Sequence, residues 1–127
     1  MAKVSVRYIV SDVDAAIGFY RDMLGFSVDM HPAPGFASLS RGDLILLLSR
    51  PGAGGAGQTR SDGQVPEPGG WNRIQIEVSD LTATVEKLKA AGCAFRGEIV
   101  IGNGGNQALV NDPSGNCFEL FEPVRRG

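Results

Sequence analysis

The residues with the clearest chemical potential alternate along one short segment, residues 73–77. Side chains alternate across a β-strand, so Arg73, Gln75 and Glu77 are expected to share one face. A guanidinium on such a face can hold an anionic or carbonyl-bearing ligand, and a carboxylate can accept from its amines or hydroxyls. Glu119, in a later apolar run, is the second candidate acid for proton transfer.

Other reactive arrangements have little support. His31 is the only histidine, and a lone histidine beside Pro32 at a predicted turn is more typical of solvent than of a metal site. The glycine-rich run 52–57 lacks the Lys-Ser/Thr and the strand–helix context of a phosphate loop. Cys93 and Cys117 have no CxxC spacing and are predicted to be buried, reduced thiols, with a disulfide between them as the alternative.

Composition narrows the class of protein. The chain has 127 residues, 43% of them hydrophobic and 20% charged, which is typical of one globular domain. A net charge of −2 gives no basic surface for nucleic acid or an anionic membrane. No apolar run approaches the roughly 18 residues of a membrane span, and the N-terminus enters a strand pattern without a signal-peptide core. We expect a cytoplasmic protein without nucleic-acid or membrane partners.

The sequence contains an internal repeat. Val10-Ser11-Asp12-Val13 returns as Val78-Ser79-Asp80-Leu81. Each copy follows an alternating run and leads into a helical pattern that ends at a glycine, Gly25 or Gly92. Two copies are too few for a solenoid, so the repeat predicts two half-domains that together form a cleft.

Each half predicts a βαβββ module, giving an α+β fold with a curved mixed sheet. Asp12 and Asp80 are the expected helix N-caps, and residues 31–35 and 112–116 are expected turns. The first module covers residues 1–50, a mobile Gly/Pro-rich connection covers 51–70, and the second module covers 71–127. The predicted strands are about 3–10, 26–30, 36–40, 44–49, 73–78, 94–101, 105–110 and 117–122. The buried helical stripes are Ala16, Phe19, Tyr20, Met23 and Leu24, then Leu81, Val85, Leu88 and Ala91, with Phe118 also in the core.

The pattern Val-Ser-Asp-Val-x5-Phe-Tyr-x3-Leu-Gly-Phe in residues 10–26 resembles the first module of the vicinal oxygen chelate superfamily. Residues 78–92 and 112–120 are similar to its second module and closing strand. This superfamily includes glyoxalase I, extradiol dioxygenases and bleomycin-resistance proteins. The resemblance covers nearly the whole chain outside residues 50–72. It implies paired modules around a cleft, generally in a homodimer.

The resemblance also implies a divalent metal held by one residue from the first and one from the last strand of each module. The matching positions here are Ser5, Leu46, Arg73 and Glu119, of which only Glu119 is a good ligand. Shifting the register by two residues brings Gln75 or Glu77 beside Glu119. The first module then still offers only Ser5 and Arg7. We therefore predict no metal and no cofactor, which argues against metal-dependent glyoxalase or dioxygenase activity.

Without a metal, Arg73 and Glu119 are expected to form an ion pair, as a structural bridge or as part of a binding site. Trp71 and Phe36 are expected either to stack on a planar ligand or to pack in an interface. A predominantly apolar lining is typical of a small-molecule site. The predicted ligand-binding residues are Arg7, Ile9, Phe36, Leu46, Leu48, Trp71, Arg73, Gln75, Glu77, Cys117, Glu119 and Phe121.

Three functions remain open. The first is a metal-free, homodimeric binding protein that sequesters an apolar or aromatic, antibiotic-like compound. The second is a lyase, isomerase or dioxygenase-type enzyme with an atypical or absent metal site. In that enzyme Glu119 or Glu77 would be the general base and Arg73 would polarise a carbonyl. The third is a protein that acts through protein contacts alone.

Overall fold

Two units, each built from a sheet and a helix, make up the chain. The computed structural model describes residues 4–53 and 55–124. One unit extends to Gly69 and the other begins at Gly70. Each holds a four-stranded mixed sheet with one helix, which confirms the predicted α+β fold of tandem modules. Neither helix of the described residues is long and apolar enough to cross a membrane.

The first unit places its parallel strand pair at one side of the sheet. The strand order is β1-β4-β3-β2, with β1 parallel to β4 and the other pairs antiparallel. Its elements are β1 (Ser5–Ile9), α1 (Val13–Leu24), β2 (Ser27–Ala33), β3 (Phe36–Arg41) and β4 (Leu44–Ser49).

The first helix begins and ends where the sequence predicts. Asp12 Oδ1 accepts a hydrogen bond from the Ala15 backbone N–H at 3.1 Å, which satisfies one of the open donors of the first turn. Gly25 ends the helix with a left-handed φ of 74°. The buried stripe centres on Tyr20, whose ring meets those of Tyr8, Phe19 and Phe26 edge to face. These ring contacts fix α1 on the sheet.

Gly18, in the middle of α1, provides a test of the helix. A Cβ there would meet no described atom within 4 Å, and alanine is the better helix former. Gly18→Ala is therefore expected to raise the free energy of unfolding by about 0.5–1 kcal/mol, measured by urea denaturation. Gly25→Ala is the control and should destabilise, because its left-handed φ strains alanine. A loss of stability in Gly18→Ala would contradict the prediction.

The second strand runs further than predicted. Residues 31–33 belong to β2, and the turn contains only Pro34 and Gly35. Pro32 cannot donate to a strand ladder, but β2 is the outermost strand of its sheet, where such a residue is tolerated. The pairing with β3 shifts register twice, between Val28 and Met30 and between Met30 and Ala33. His31 lies within this strand, with Nε2 3.6 Å from Asp14 Oδ1.

The second unit repeats the plan with a shorter outer strand, in the order β5-β8-β7-β6. Its elements are β5 (Ile74–Glu77), α2 (Leu81–Ala90), β6 (Val100–Ile101), β7 (Gly105–Asn111) and β8 (Cys117–Pro123). The predicted strand over 94–101 is wrong in length. Only β6 and a bridge between Phe95 and Val110 form, because Gly97 adopts a φ of 81°. Ala91 is exposed, since α2 ends one residue earlier.

Carboxylates accept backbone hydrogen bonds at the start of α2 and in the turn before β8. Asp80 Oδ1 accepts from the Ala83 N–H at 3.0 Å, as predicted, and Glu122 Oε1 accepts from the Leu81 N–H at 2.7 Å. In the predicted turn at 112–116, Asp112 Oδ1 accepts from the Ser114 and Asn116 N–H groups at 2.9 and 2.8 Å. These bonds hold the start of β8, which carries Glu119.

Candidate functional site

Strand register decides which side chains are available on the first sheet. Leu46 lies beside Val6 and Leu48 beside Tyr8, whose ring contacts α1. Both leucines are 0% exposed and lie on the helix side of the sheet. The prediction that Leu46 and Leu48 line a binding surface is therefore wrong, because a shift of one residue moves a side chain to the opposite face.

The opposite face of this sheet carries Arg7 and Ile9. Arg7 lies beside Leu47, and Ile9 lies beside Ser49. Gln75, 68 residues after Arg7, lies beside Glu119 in the same way, so Leu47 and not Leu46 is the counterpart of Glu119. The position in the first module was matched by counting from the glycine before the last strand of each module, Gly42 or Gly115. That count gave the wrong residue, because Gly42 precedes Leu47 by five residues (47 − 42) and Gly115 precedes Glu119 by four (119 − 115).

Glu119 is the centre of a polar cluster on the second sheet. It is 8% exposed, and its Oε1 accepts from Arg73 Nε at 2.9 Å, which is the predicted ion pair. Its Oε2 accepts from Gln75 Nε2 at 2.6 Å. Cys117 and Phe121 share this face by alternation along β8. Both carboxylate oxygens are therefore occupied, one by a donor from β5 and one by a donor from the residue just before it.

This cluster does not suit a divalent metal. A cation at Glu119 would need oxygen or imidazole donors, yet the nearest side chains are a guanidinium and an amide whose N–H group points at the carboxylate. The matching face of the first sheet offers Ser5, Arg7 and Leu47. Across the described residues no three His, Cys, Asp or Glu side chains converge. The donor set at these positions thus disagrees with the metal that the resemblance implies.

Glu77 lies on β5 with Gln75 but lines a separate hollow. It pairs with Phe121 in the sheet and lines that hollow together with Ser79 and Glu122. The side chain is exposed. The two candidate bases thus occupy different surroundings, one buried against Arg73 and one open to solvent.

Trp71 is held by a residue that the sequence did not single out. The Arg96 guanidinium carbon lies 4.6 Å from the centre of the Trp71 ring, in cation–π geometry. The same guanidinium donates to Asn111 Oδ1, Gly70 O and Gly115 O at 2.7, 2.7 and 2.9 Å. Trp71 remains 68% exposed, so the residue pair presents an aromatic surface to solvent. Arg96 lies in the segment predicted as a strand, and nothing in the sequence indicated that it would contact Trp71.

A cavity of the first unit lies beside Arg7. It measures about 570 Å³ and is lined by Arg7, Phe36 and Ser49 of the sheet, by the turn 33–35, and by Arg50, Ala53, Gly55 and Ala56 of the connection. Phe36 was predicted as a ligand contact, whereas Arg50 was not. The Gly/Pro-rich composition of the connection predicted a mobile segment and gave no sign that its first residues line a cavity.

The start of the connection is folded onto the β2–β3 turn. The backbone N–H of Arg50 donates to Gly35 O at 2.9 Å, that of Ala53 to Arg50 O at 3.1 Å, and that of Gly57 to Ala53 O at 3.0 Å. A Cβ on Gly57 would overlap the carbonyl oxygens of Arg50 and Ala53. This segment therefore forms a wall of the cavity, and only glycine fits at its closing position.

The two cysteines differ in burial, and neither is joined in a disulfide. Burial raises the pKa of the Cys117 thiol, against a smaller opposing effect of the Arg96 and Arg73 charges. Burial also raises the pKa of Cys93, which is half-buried. Both are therefore neutral thiols at neutral pH.

The raised pKa of Cys117 predicts a pH dependence of stability. A folded-state pKa above the unfolded value, about 8.5, gives stability that is complete below that value and is lost as pH rises through the folded pKa. Between about pH 7.5 and 10, wild type should lose more free energy of unfolding than Cys117→Ala. Urea denaturation across this range measures the difference, and equal losses would contradict it.

Comparison with known proteins gives a family for this geometry. Residues 4–120 match the model of the glyoxalase/bleomycin resistance protein/dioxygenase superfamily. No curated protein sequence matches the chain.

Solved structures agree on the fold. A superfamily member from Sphaerobacter thermophilus DSM 20745 is 26% identical, with a TM-score of 0.75, covering 96% of this chain and 97% of that one. TnmS3, an antibiotic binding protein from Streptomyces sp. CB03234, is 24% identical, with a TM-score of 0.70 and coverage of 98% and 97%. A lactoylglutathione lyase from Agrobacterium tumefaciens is 21% identical, with a TM-score of 0.71 and coverage of 95% and 92%. Because the family model matches nearly the whole chain, the chain belongs to the glyoxalase/bleomycin resistance protein/dioxygenase superfamily.

Proposed function

We propose that this protein is a metal-free, homodimeric binding protein that sequesters an apolar or aromatic, antibiotic-like compound without changing it. The observation that carries the proposal is the state of Glu119. Arg73 and Gln75 occupy both of its oxygens, at the position where the family's enzymes have a metal ligand.

Aromatic surfaces support a planar or apolar ligand. Phe36 lines the cavity of about 570 Å³, which is in the range of small-molecule sites. Trp71 is exposed on one ring face while Arg96 fixes the other. Such pre-ordered rings bind flat molecules at little cost in conformational entropy. The antibiotic-binding role of TnmS3, a protein of the same fold, is consistent with this proposal.

An enzyme is the second candidate, and Glu77 is the observation in its favour. Its carboxylate is exposed, whereas Glu119 is engaged at both oxygens. Glu77 would then be the general base, with a ligand carbonyl polarised by Arg73. A lactoylglutathione lyase shares the fold. Turnover of a bound compound that Glu77→Gln abolishes would favour this candidate over sequestration.

The test uses the single tryptophan. Planar antibiotics and aromatic metabolites are titrated into the protein while Trp71 fluorescence is followed, with calorimetry on Trp71→Phe to separate binding from its optical signal. We expect saturable quenching at one compound per chain, unchanged by chelator and without product in the recovered compound. A full equivalent of tightly bound transition metal after purification without chelator, or conversion of the compound, would overturn the proposal.

A further inference from the structure

The charges around the cavity of the first unit all have one sign. Of its ten lining residues, Arg7 and Arg50 are cationic and none is acidic. Resting on the proposed function, we propose that this cavity binds the anionic group of an apolar ligand, a carboxylate or a similar oxyanion attached to an apolar or aromatic body.

Arg7 is anchored so that part of its guanidinium stays available. Its Nη1 donates to Ser49 Oγ at 3.2 Å, and Ser49 itself is buried. Leu47 lies beside Arg7 in the sheet and offers no competing acceptor on its side chain. The remaining N–H donors of the guanidinium have the fork geometry that suits an oxyanion.

Arg50 approaches the cavity from the connection. Its backbone N–H is tied to Gly35 O, and its Nη2 lies 3.8 Å from the place where a Cβ of Gly35 would stand. That separation is an ordinary van der Waals contact, whereas a Cβ on Gly35 would overlap the Cβ of Ala53, which lines the same cavity. The ordered backbone on both sides places the charge with a small entropy loss on binding.

Four other arginines of the described residues already have acceptors, and Arg60 is exposed outside the cavity lining. Arg21 and Arg73 form ion pairs with carboxylates, Arg41 donates to Leu24 O, and Arg96 donates to three oxygens. Arg7 and Arg50 are within ion-pair distance of no described carboxylate. Two guanidinium groups in one cavity repel each other, and a bound anion relieves that repulsion while a cation adds to it.

The apolar residues of the cavity lining indicate that the rest of the ligand is apolar. Phe36, Ala33, Pro34, Ala53 and Ala56 supply apolar surface next to the charges. A hydrated inorganic anion would leave that surface in contact with water. An anion with an attached apolar ring uses both parts of the cavity.

Three naphthalene probes of nearly equal shape test the charge preference: 2-naphthoate, neutral 2-naphthamide and cationic 2-naphthylmethylammonium. Calorimetry at low salt is expected to give about tenfold tighter binding of naphthoate than of naphthamide, with the cation weakest. Arg7→Gln and Arg50→Gln should each weaken naphthoate several-fold and leave naphthamide unchanged. Arg60→Gln, which removes an exposed arginine outside the cavity lining, is the control and should change neither.

Other outcomes separate this inference from the proposed function. Equal affinity of the charged and neutral probes, or an anion preference that survives both cavity substitutions, would overturn the inference and leave sequestration standing. Failure of naphthoate to bind to wild type would also overturn it. Arg7→Lys keeps the charge and is expected to retain part of the preference. Thermal denaturation of each variant establishes that the fold is intact.

Discussion

Replacing Arg73 with alanine is expected to lower the free energy of unfolding by about 3 kcal/mol. The substitution leaves the Glu119 carboxylate, on a side chain that is only 11% exposed, with Gln75 as its remaining donor. Breaking a buried pair costs about 3–5 kcal/mol, and the value here falls at the lower end because the Arg73 side chain is 31% exposed. Urea denaturation at neutral pH measures the change.

An exposed pair of equal geometry is the matched control. Arg21 Nε lies 2.9 Å from Asp22 Oδ1, the same separation as in the Arg73–Glu119 pair, but both side chains are more than half exposed. Arg21→Ala should therefore change stability little. The double variant Arg73→Ala/Glu119→Leu should recover much of the loss, because it removes the buried charge as well. Equal effects of Arg73→Ala and Arg21→Ala would show that burial of Glu119 is irrelevant.

Gly105→Ala is expected to cost about 3 kcal/mol or more. Gly105 starts β7 with a φ of 155°, which side-chain-bearing residues rarely adopt. An added Cβ would overlap Glu122 O and lie 2.7 Å from Phe121 Cζ. The backbone and the Phe121 ring must both move, so the variant should also alter the surface that carries Glu119. Denaturation and the near-ultraviolet circular dichroism of the aromatic residues measure the two effects.

Gly104 provides the neighbouring control. A Cβ at Gly104 meets no described atom within 4 Å, and its φ is outside the left-handed range. Gly104→Ala should therefore stay within about 0.5 kcal/mol of wild type. A comparable loss in both variants would mean that the segment tolerates no side chain at all, which would contradict the steric explanation for Gly105.

The features that the sequence predicted correctly depend on neighbours a few residues away. Asp12 and Asp80 cap their helices through N–H groups three residues on, and Asp112 closes a turn through residues two and four positions later. Such contacts recur whenever the local pattern is present. The outline of the fold was accessible for the same reason, since periodicity and caps are local.

The site was predictable only where alternation along one strand defined it. Arg73, Gln75 and Glu119 were identified and do meet. Leu46 was assigned to the wrong face, because register depends on pairing with a strand some 40 residues away. Arg50 and Arg96 were missed, because the backbone oxygen that Arg50 N–H contacts and the Trp71 ring that Arg96 contacts are brought to them by folding, for which a single sequence carries no pattern.

The edge strands β2 and β6 bear on the concentration that this protein can reach in a cell without aggregating. A protein that removes a compound molecule by molecule must be as abundant as its target, and open sheet borders at high concentration invite chain-to-chain pairing. β2 carries Pro32 and two register shifts, and β6 is two residues long. Neither offers a long template for another strand. At the β2 and β6 edges, therefore, dense solutions of the protein should resist pairing between chains.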